Sequence, residues 1–100
     1  MSTDVLNSYF IKEKDIVTRS IAGETIIVPI RSNVGDLDYI YTLNEVGSMI
    51  WGLIDGKRSV AKIIDTIHKT YEVTPEEAKK DTLDFLNSLE KAGLIHGREK

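Results

Sequence analysis

His68 and His96 are the only imidazoles in the chain, and neither has a second His or Cys at the spacing a metal site requires. With no cysteine at all, thiolate ligation and a disulfide framework are both unavailable, and a reducing compartment is the default. No serine lies in a nucleophile-elbow sequence, no glycine-rich phosphate-binding loop occurs, and the carboxylates are scattered at helical surface spacings. These residue types point away from catalysis by this chain alone and imply no metal and no cofactor; His68 reads as a partly exposed helical residue. What remains is chemistry of contact. Trp51 lies about 140° around its helix from Val46, and reads as packing on a sheet or a neighbouring helix, with a partner contact as the alternative. Tyr39 and Tyr41 read as strand residues covering the core, or as a grip on a bound peptide. Lys57-Arg58 reads as a solvated turn, or as a contact to a phosphate or an acidic partner.

The elements that must position these side chains are organised around Leu43 to Ile64. Val46, Met49, Ile50, Leu53 and Ile54 fall on one helical face, with Asn44 at the N-cap position. Asp55-Gly56 ends that helix, and Ser59 caps a second one whose apolar stripe is Val60, Ile63, Ile64, Ile67 and Tyr71. A third helix starts at the capping box Thr74-Pro75-Glu76-Glu77 and stops at Gly93, before Leu94-Ile95. Its core stripe is Ala78, Thr82, Phe85, Leu86 and Leu89. Leu83 falls off that stripe, beside Lys79, Asn87 and Glu90, where an apolar side chain could line a groove.

Ahead of the helices the residue types change to Ile, Val and Thr, which suit a pleated surface. Ile16 to Ile21, the turn Ala22-Gly23, and Glu24 to Ile30 predict a hairpin, with Ile26, Val28 and Ile30 turned to the core and pairing ended or bulged at Pro29. A turn-rich connection from Arg31 to Leu37 leads to a third strand, Asp38 to Leu43, with Tyr39, Tyr41 and Leu43 on one face. Three strands without a fourth leave an edge open. Met1 to Lys14 reads as a flexible arm, with a short docking helix through Val5, Leu6, Tyr9 and Phe10 as the alternative, and His96 to Lys100 reads as a tail. The domain proper is then 15–95, of α+β class: a three-stranded antiparallel sheet followed by three helices in a winged helix-turn-helix-like arrangement.

Leu43-Asn44 leading into a helix, Ile50-Trp51 within it, then Asp55-Gly56, Arg58-Ser59-Val60-Ala61 and Ile63-Ile64 resemble the small PqqD-like proteins. The resemblance runs from about Asp15 to Ile95. It implies a recognition element for ribosomally made, post-translationally modified peptides, which binds a precursor's leader segment and presents it to a maturation enzyme such as a radical-SAM protein, a peptidase or a cyclase. An extended leader would add to the edge strand through Tyr39, Ile40, Tyr41, Thr42 and Leu43. The wheel geometry of the third helix nominates Lys79, Leu83, Leu86 and Asn87 as the other wall of the groove.

Composition narrows the alternatives. With 100 residues, 41% of them hydrophobic, the chain suits one core and contains no apolar run near the roughly 20 residues of a membrane span. The segment Ser2 to Ser8 lacks the basic and apolar parts of a signal peptide, so the expected location is the cytoplasm. The rival reading is a winged-helix DNA-binding regulator. A formal charge of −3 and a third helix carrying Glu76, Glu77, Asp81, Asp84 and Glu90 disfavour it, because affinity for nucleic acid rests largely on cations neutralising phosphates.

Overall fold

The computed structural model describes residues 2–30 and 40–98. A 3₁₀ turn at Ser2–Asn7 precedes β1 (Phe10–Lys12), β2 (Ile16–Ile21), β3 (Glu24–Pro29) and β4 (Tyr41–Leu43). The helices α1 (Glu45–Leu53), α2 (Val60–Tyr71) and α3 (Pro75–Lys91) follow, and β5 (Ile95–Gly97) closes the order. The three-stranded antiparallel sheet has the order β2-β3-β4, and β1 and β5 form a second, two-stranded sheet.

The hairpin turns on Ala22 and Gly23, at φ 53 and 83. Positive φ at both central residues gives the turn a twist that matches the right-handed twist of the flanking strands. The core-facing residues of β3 are Thr25, Ile27 and Pro29, the opposite parity from the predicted Ile26, Val28 and Ile30, and Ile30 is exposed. Apolar residues occupy both parities of β3, so alternation within the strand leaves its face open. The neighbour decides it. Thr25 and Ile27 pair with Leu43 and Tyr41, and opposed residues of an antiparallel pair share a face. Pairing also continues through Pro29, which sits opposite Ile16, and Ile30 N donates to Asp15 O at 2.9 Å. The hairpin therefore neither ends nor bulges there. The connection 31–37, with Asp38 and Tyr39, lies outside the described residues. Ile40, expected within the third strand, precedes β4 and is 65% exposed.

Each helix starts where its cap residue stands. Asn44 accepts from Gly47 N, Ser59 from Lys62 N, and Thr74 with Glu77 forms a reciprocal capping box. The core joins Ile27 and Leu43 of the sheet to Ile50, Trp51 and Ile54, Val60, Ile63 and Ile67, and Ala78, Leu86 and Leu89 of the helical layer.

The expected arm and tail are instead paired with each other. Phe10, Ile11 and Lys12 lie opposite Gly97, His96 and Ile95, flanked by Glu13 N donating to Leu94 O at 3.0 Å and Arg98 N to Tyr9 O at 2.7 Å. His96 Nδ1–H donates to the Glu13 carboxylate across this ribbon. Leu94 and Ile95 are buried and anchor one strand, while Gly56, at φ 76, lets the other settle on the turn after α1. A Cβ built on Gly56 would stand 2.6 Å from Ile11 Cγ2. Each strand is three residues long, and the partner of each lies at the other end of the chain, so neither segment signals the pairing locally.

One core position is imperfect. Thr82 is fully buried on α3 and its Oγ1 has no hydrogen-bond partner among the described residues. An unsatisfied buried hydroxyl carries a desolvation cost that valine, of nearly the same shape, removes. Thr82→Val is expected to raise stability by about 1 kcal/mol, read as a higher urea midpoint at unchanged slope; a fall in midpoint would show that the hydroxyl has a partner.

Candidate peptide groove

The hairpin register fixes which backbone groups β4 offers to solvent. In a two-residue hairpin the residues flanking the turn exchange both ladder bonds, and bonded pairs then recur at every second position. From Ile21 and Glu24 this gives Arg19 with Ile26 and Val17 with Val28, and the Ile30 to Asp15 bond continues the series. The remaining residues of β3, Thr25 and Ile27, turn their N–H and C=O groups toward β4, where they meet Leu43 and Tyr41. Thr42 is therefore the residue of β4 whose backbone donor and acceptor point away from the sheet. Its side chain is exposed, while Leu43 is buried and Tyr41 half-buried.

This edge opens into a concavity of about 410 Å³ lined by Thr42, Leu43, Asn44, Val46, Gly47, Ile50, Asp81 and Phe85. Sheet, first helix and third helix meet here because Asn44 ends β4 and caps α1 without a loop between them. Gly47 sets the depth: a Cβ at this position would lie 3.2 Å from Phe85 Cζ, so the absence of a side chain lets the ring approach the first turn of α1. Among the described lining residues, all but Asp81 are apolar or uncharged.

Of the residues nominated from sequence, Thr42 and Leu43 line this concavity. Ile40 and Tyr41 adjoin them in the chain, and Tyr39 lies outside the described residues. The nominated helix residues do not join them. Leu83, Leu86 and Asn87 line a separate concavity of about 170 Å³ with Val5, Phe10 and Glu90, on the flank of α3 that faces the N-terminal segment. Lys79 is exposed and lines neither. Leu83 is off the core stripe, as its angle required, but it packs against the core under the N-terminal segment. The wall facing β4 is formed by Asp81 and Phe85, one turn apart; from sequence Phe85 belongs to the core stripe and Asp81 to the acids that disfavour DNA. The signal for them was the direct Leu43-Asn44 junction, which sets α1 beside the edge strand.

The other contact-bearing residues are engaged elsewhere. Trp51 is 3% exposed, and Lys12 Nζ sits 4.9 Å from its ring centroid, so β1 covers it. Burial lowers the Lys12 amine below its ordinary pKa, an effect opposed by the charge of Asp55. Asp55 accepts from Lys57 N and Arg58 N, each at 2.9 Å, and pairs with Arg58 Nη1 at 2.7 Å. The backbone bonds, more than the guanidinium, hold its carboxyl below the usual range. His68 Nδ1–H donates to Val73 O at 2.6 Å across the end of α2. A concavity of about 540 Å³ near Tyr9 and Glu90 includes Arg98, whose guanidinium donates to Gly56 O at 3.0 Å and lies 5.7 Å from the Tyr9 ring. Among the described residues no group of three His, Cys, Asp or Glu is placed to hold a metal ion.

Residues 24–95 match the family described as coenzyme PQQ synthesis protein D (PqqD). Over 53 residues the chain is 42% identical to a PqqA binding protein of Pseudomonas syringae pv. syringae (strain B728a), a match spanning 53% of this chain and 55% of the relative. The chain thus spans about half the length of that curated relative. Its fold is shared with the solved structure of TbiB1 in complex with the TbiA(beta) leader peptide, at a TM-score of 0.75 and 24% identity over 90% of this chain and 99% of that one. It is shared also with lasso peptide synthetase B1 complexed with the leader peptide, at a TM-score of 0.74 and 20% identity over 87% and 96%.

Proposed function

The chain belongs to the PqqD family, and from that premise we propose that it binds the leader segment of a ribosomally made precursor peptide as a strand added along β4, and presents it to a maturation enzyme. The observation that carries the mechanism is the coincidence of an edge strand, an outward backbone donor at Thr42 and an apolar groove beginning at the same residue. Backbone pairing would supply affinity and register, and the groove would select side chains of one parity. The name of the relative, PqqA binding protein, and the leader peptides in the two solved complexes support the peptide reading. In this reading the helix wall is Asp81 and Phe85, and Leu83, Leu86 and Asn87 hold the N-terminal segment.

The chain acts here as an adaptor, with the covalent chemistry left to a partner of radical-SAM, peptidase or cyclase type. Because its ligand is made on ribosomes, the proposal places it in the cytoplasm. Among the described residues no helix is long and apolar enough to cross a membrane.

Amide exchange with a candidate precursor, beginning with PqqA, tests the reading. The Thr42 amide is expected to exchange freely in the isolated protein and to gain protection on binding, while the Tyr41 and Leu43 amides are protected throughout. A peptide that binds without slowing exchange at Thr42 would place the site elsewhere. Random duplex DNA serves as the control; tight binding with a steep salt slope would favour the regulator reading.

A further inference from the structure

Among the described residues, Asp81 is the single ionisable side chain lining the groove beside β4. Nearby on α3, Lys80 pairs with Asp84 at 3.2 Å, and the Glu77 carboxylate accepts from Thr74 N in the capping box. The Asp81 carboxylate has no ion pair or hydrogen bond among the described residues. It stands one helical turn from Phe85, whose ring forms the apolar part of the same wall.

A guest strand on β4 turns every second side chain toward α3, at a repeat of about 6.6 Å, close to the 5.4 Å of one helical turn. For a guest running along α3, one such side chain would meet Phe85 and the apolar lining, and its same-parity neighbour would cover Asp81, which is exposed in the free protein. Covering a carboxylate removes water from it, which is unfavourable unless the guest brings a cation, and strongly so if the guest brings another acid. We infer that this groove is specific for leader segments carrying a lysine or arginine on the same parity as a large apolar residue, with Asp81 as the determinant of charge. The inference rests on the strand-addition reading and adds to it a recognition rule for the ligand.

The test is selection of a display library of random 15-residue peptides on three proteins: the wild type, Asp81→Lys and Thr42→Pro. The wild type is expected to enrich peptides with a large apolar residue and a Lys or Arg separated by one residue. Asp81→Lys is expected to enrich Asp or Glu at the basic position, while keeping the apolar preference and an unchanged melting temperature. Synthetic versions of wild-type winners should bind Asp81→Asn about fivefold more weakly, and Asp81→Lys more weakly still. Thr42→Pro should enrich none of them. If Asp81→Lys selects the same basic peptides with the same affinity, the charge rule is overturned; provided Thr42→Pro still binds them at least about tenfold more weakly than the wild type, strand addition stands. If Thr42→Pro binds the winners as well as the wild type does, or the wild type enriches no peptide, both the reading and the rule fall.

Discussion

Thr42→Pro is expected to leave the domain folded and to weaken leader binding by about 10- to 100-fold, whereas Tyr41→Pro, one residue earlier, should destabilise the domain itself. The difference follows from the ladder. Thr42 lies between the two bonded positions of β4, so its N–H faces outward and the sheet does not use it. Proline is tolerated on an edge strand in that position. A guest strand would lose one donor and leave its own carbonyl unpaired against the pyrrolidine ring, a cost of about 1–3 kcal/mol. At Tyr41 the same ring removes a bond to β3 opposite Ile27, which is fully buried, and should cost about 2–4 kcal/mol of stability. Urea unfolding and peptide titration of the two variants separate these outcomes. Equal loss of binding with equal stability would mean that the register does not govern recognition.

Gly56→Ala is expected to be among the most damaging single-methyl additions in the chain. Two independent costs meet at this residue. Its φ of 76 is unfavourable for any residue with a Cβ, by about 1–2 kcal/mol. The added methyl would also stand 2.6 Å from Ile11 Cγ2, so β1 must move, at about 1–3 kcal/mol for an overpacked contact. Together they predict a loss of about 2–5 kcal/mol, a large part of the stability of a domain this size. The double variant Ile11→Ala/Gly56→Ala removes the obstructing branch and should recover the steric part in a double-mutant cycle, leaving the dihedral part. Strict additivity of the two substitutions would show that β1 does not rest on Gly56.

The three helices and the β2-β3 hairpin were legible in the amino-acid sequence, whereas β1, β5 and the start of β4 were not. Asn44, Ser59 and Thr74 with Glu77 mark helix starts because cap chemistry is local, satisfying orphan N–H groups within three residues. Asp55-Gly56 marks a stop for a similar reason, since a left-handed glycine is written in one residue. The hairpin and the stripes of α2 and α3 followed from periodicity. Tertiary structure decided whatever depends on a distant partner. The face of β3 was open because Thr25, Ile26, Ile27 and Val28 offer bulk on both sides; only pairing with Tyr41 and Leu43 orients it. Phe10–Lys12 became a strand because Ile95–Gly97 lies beside it and Gly56 leaves room beneath. The groove wall was open in the same way. Leu83 and Phe85 both lie on the third helix at its edges, and helical angle alone does not tell which edge meets the N-terminal segment and which meets β4. The direct passage from Leu43 through Asn44 into α1 brings Phe85 and Asp81 to the edge strand, and the return of the N-terminal segment covers Leu83.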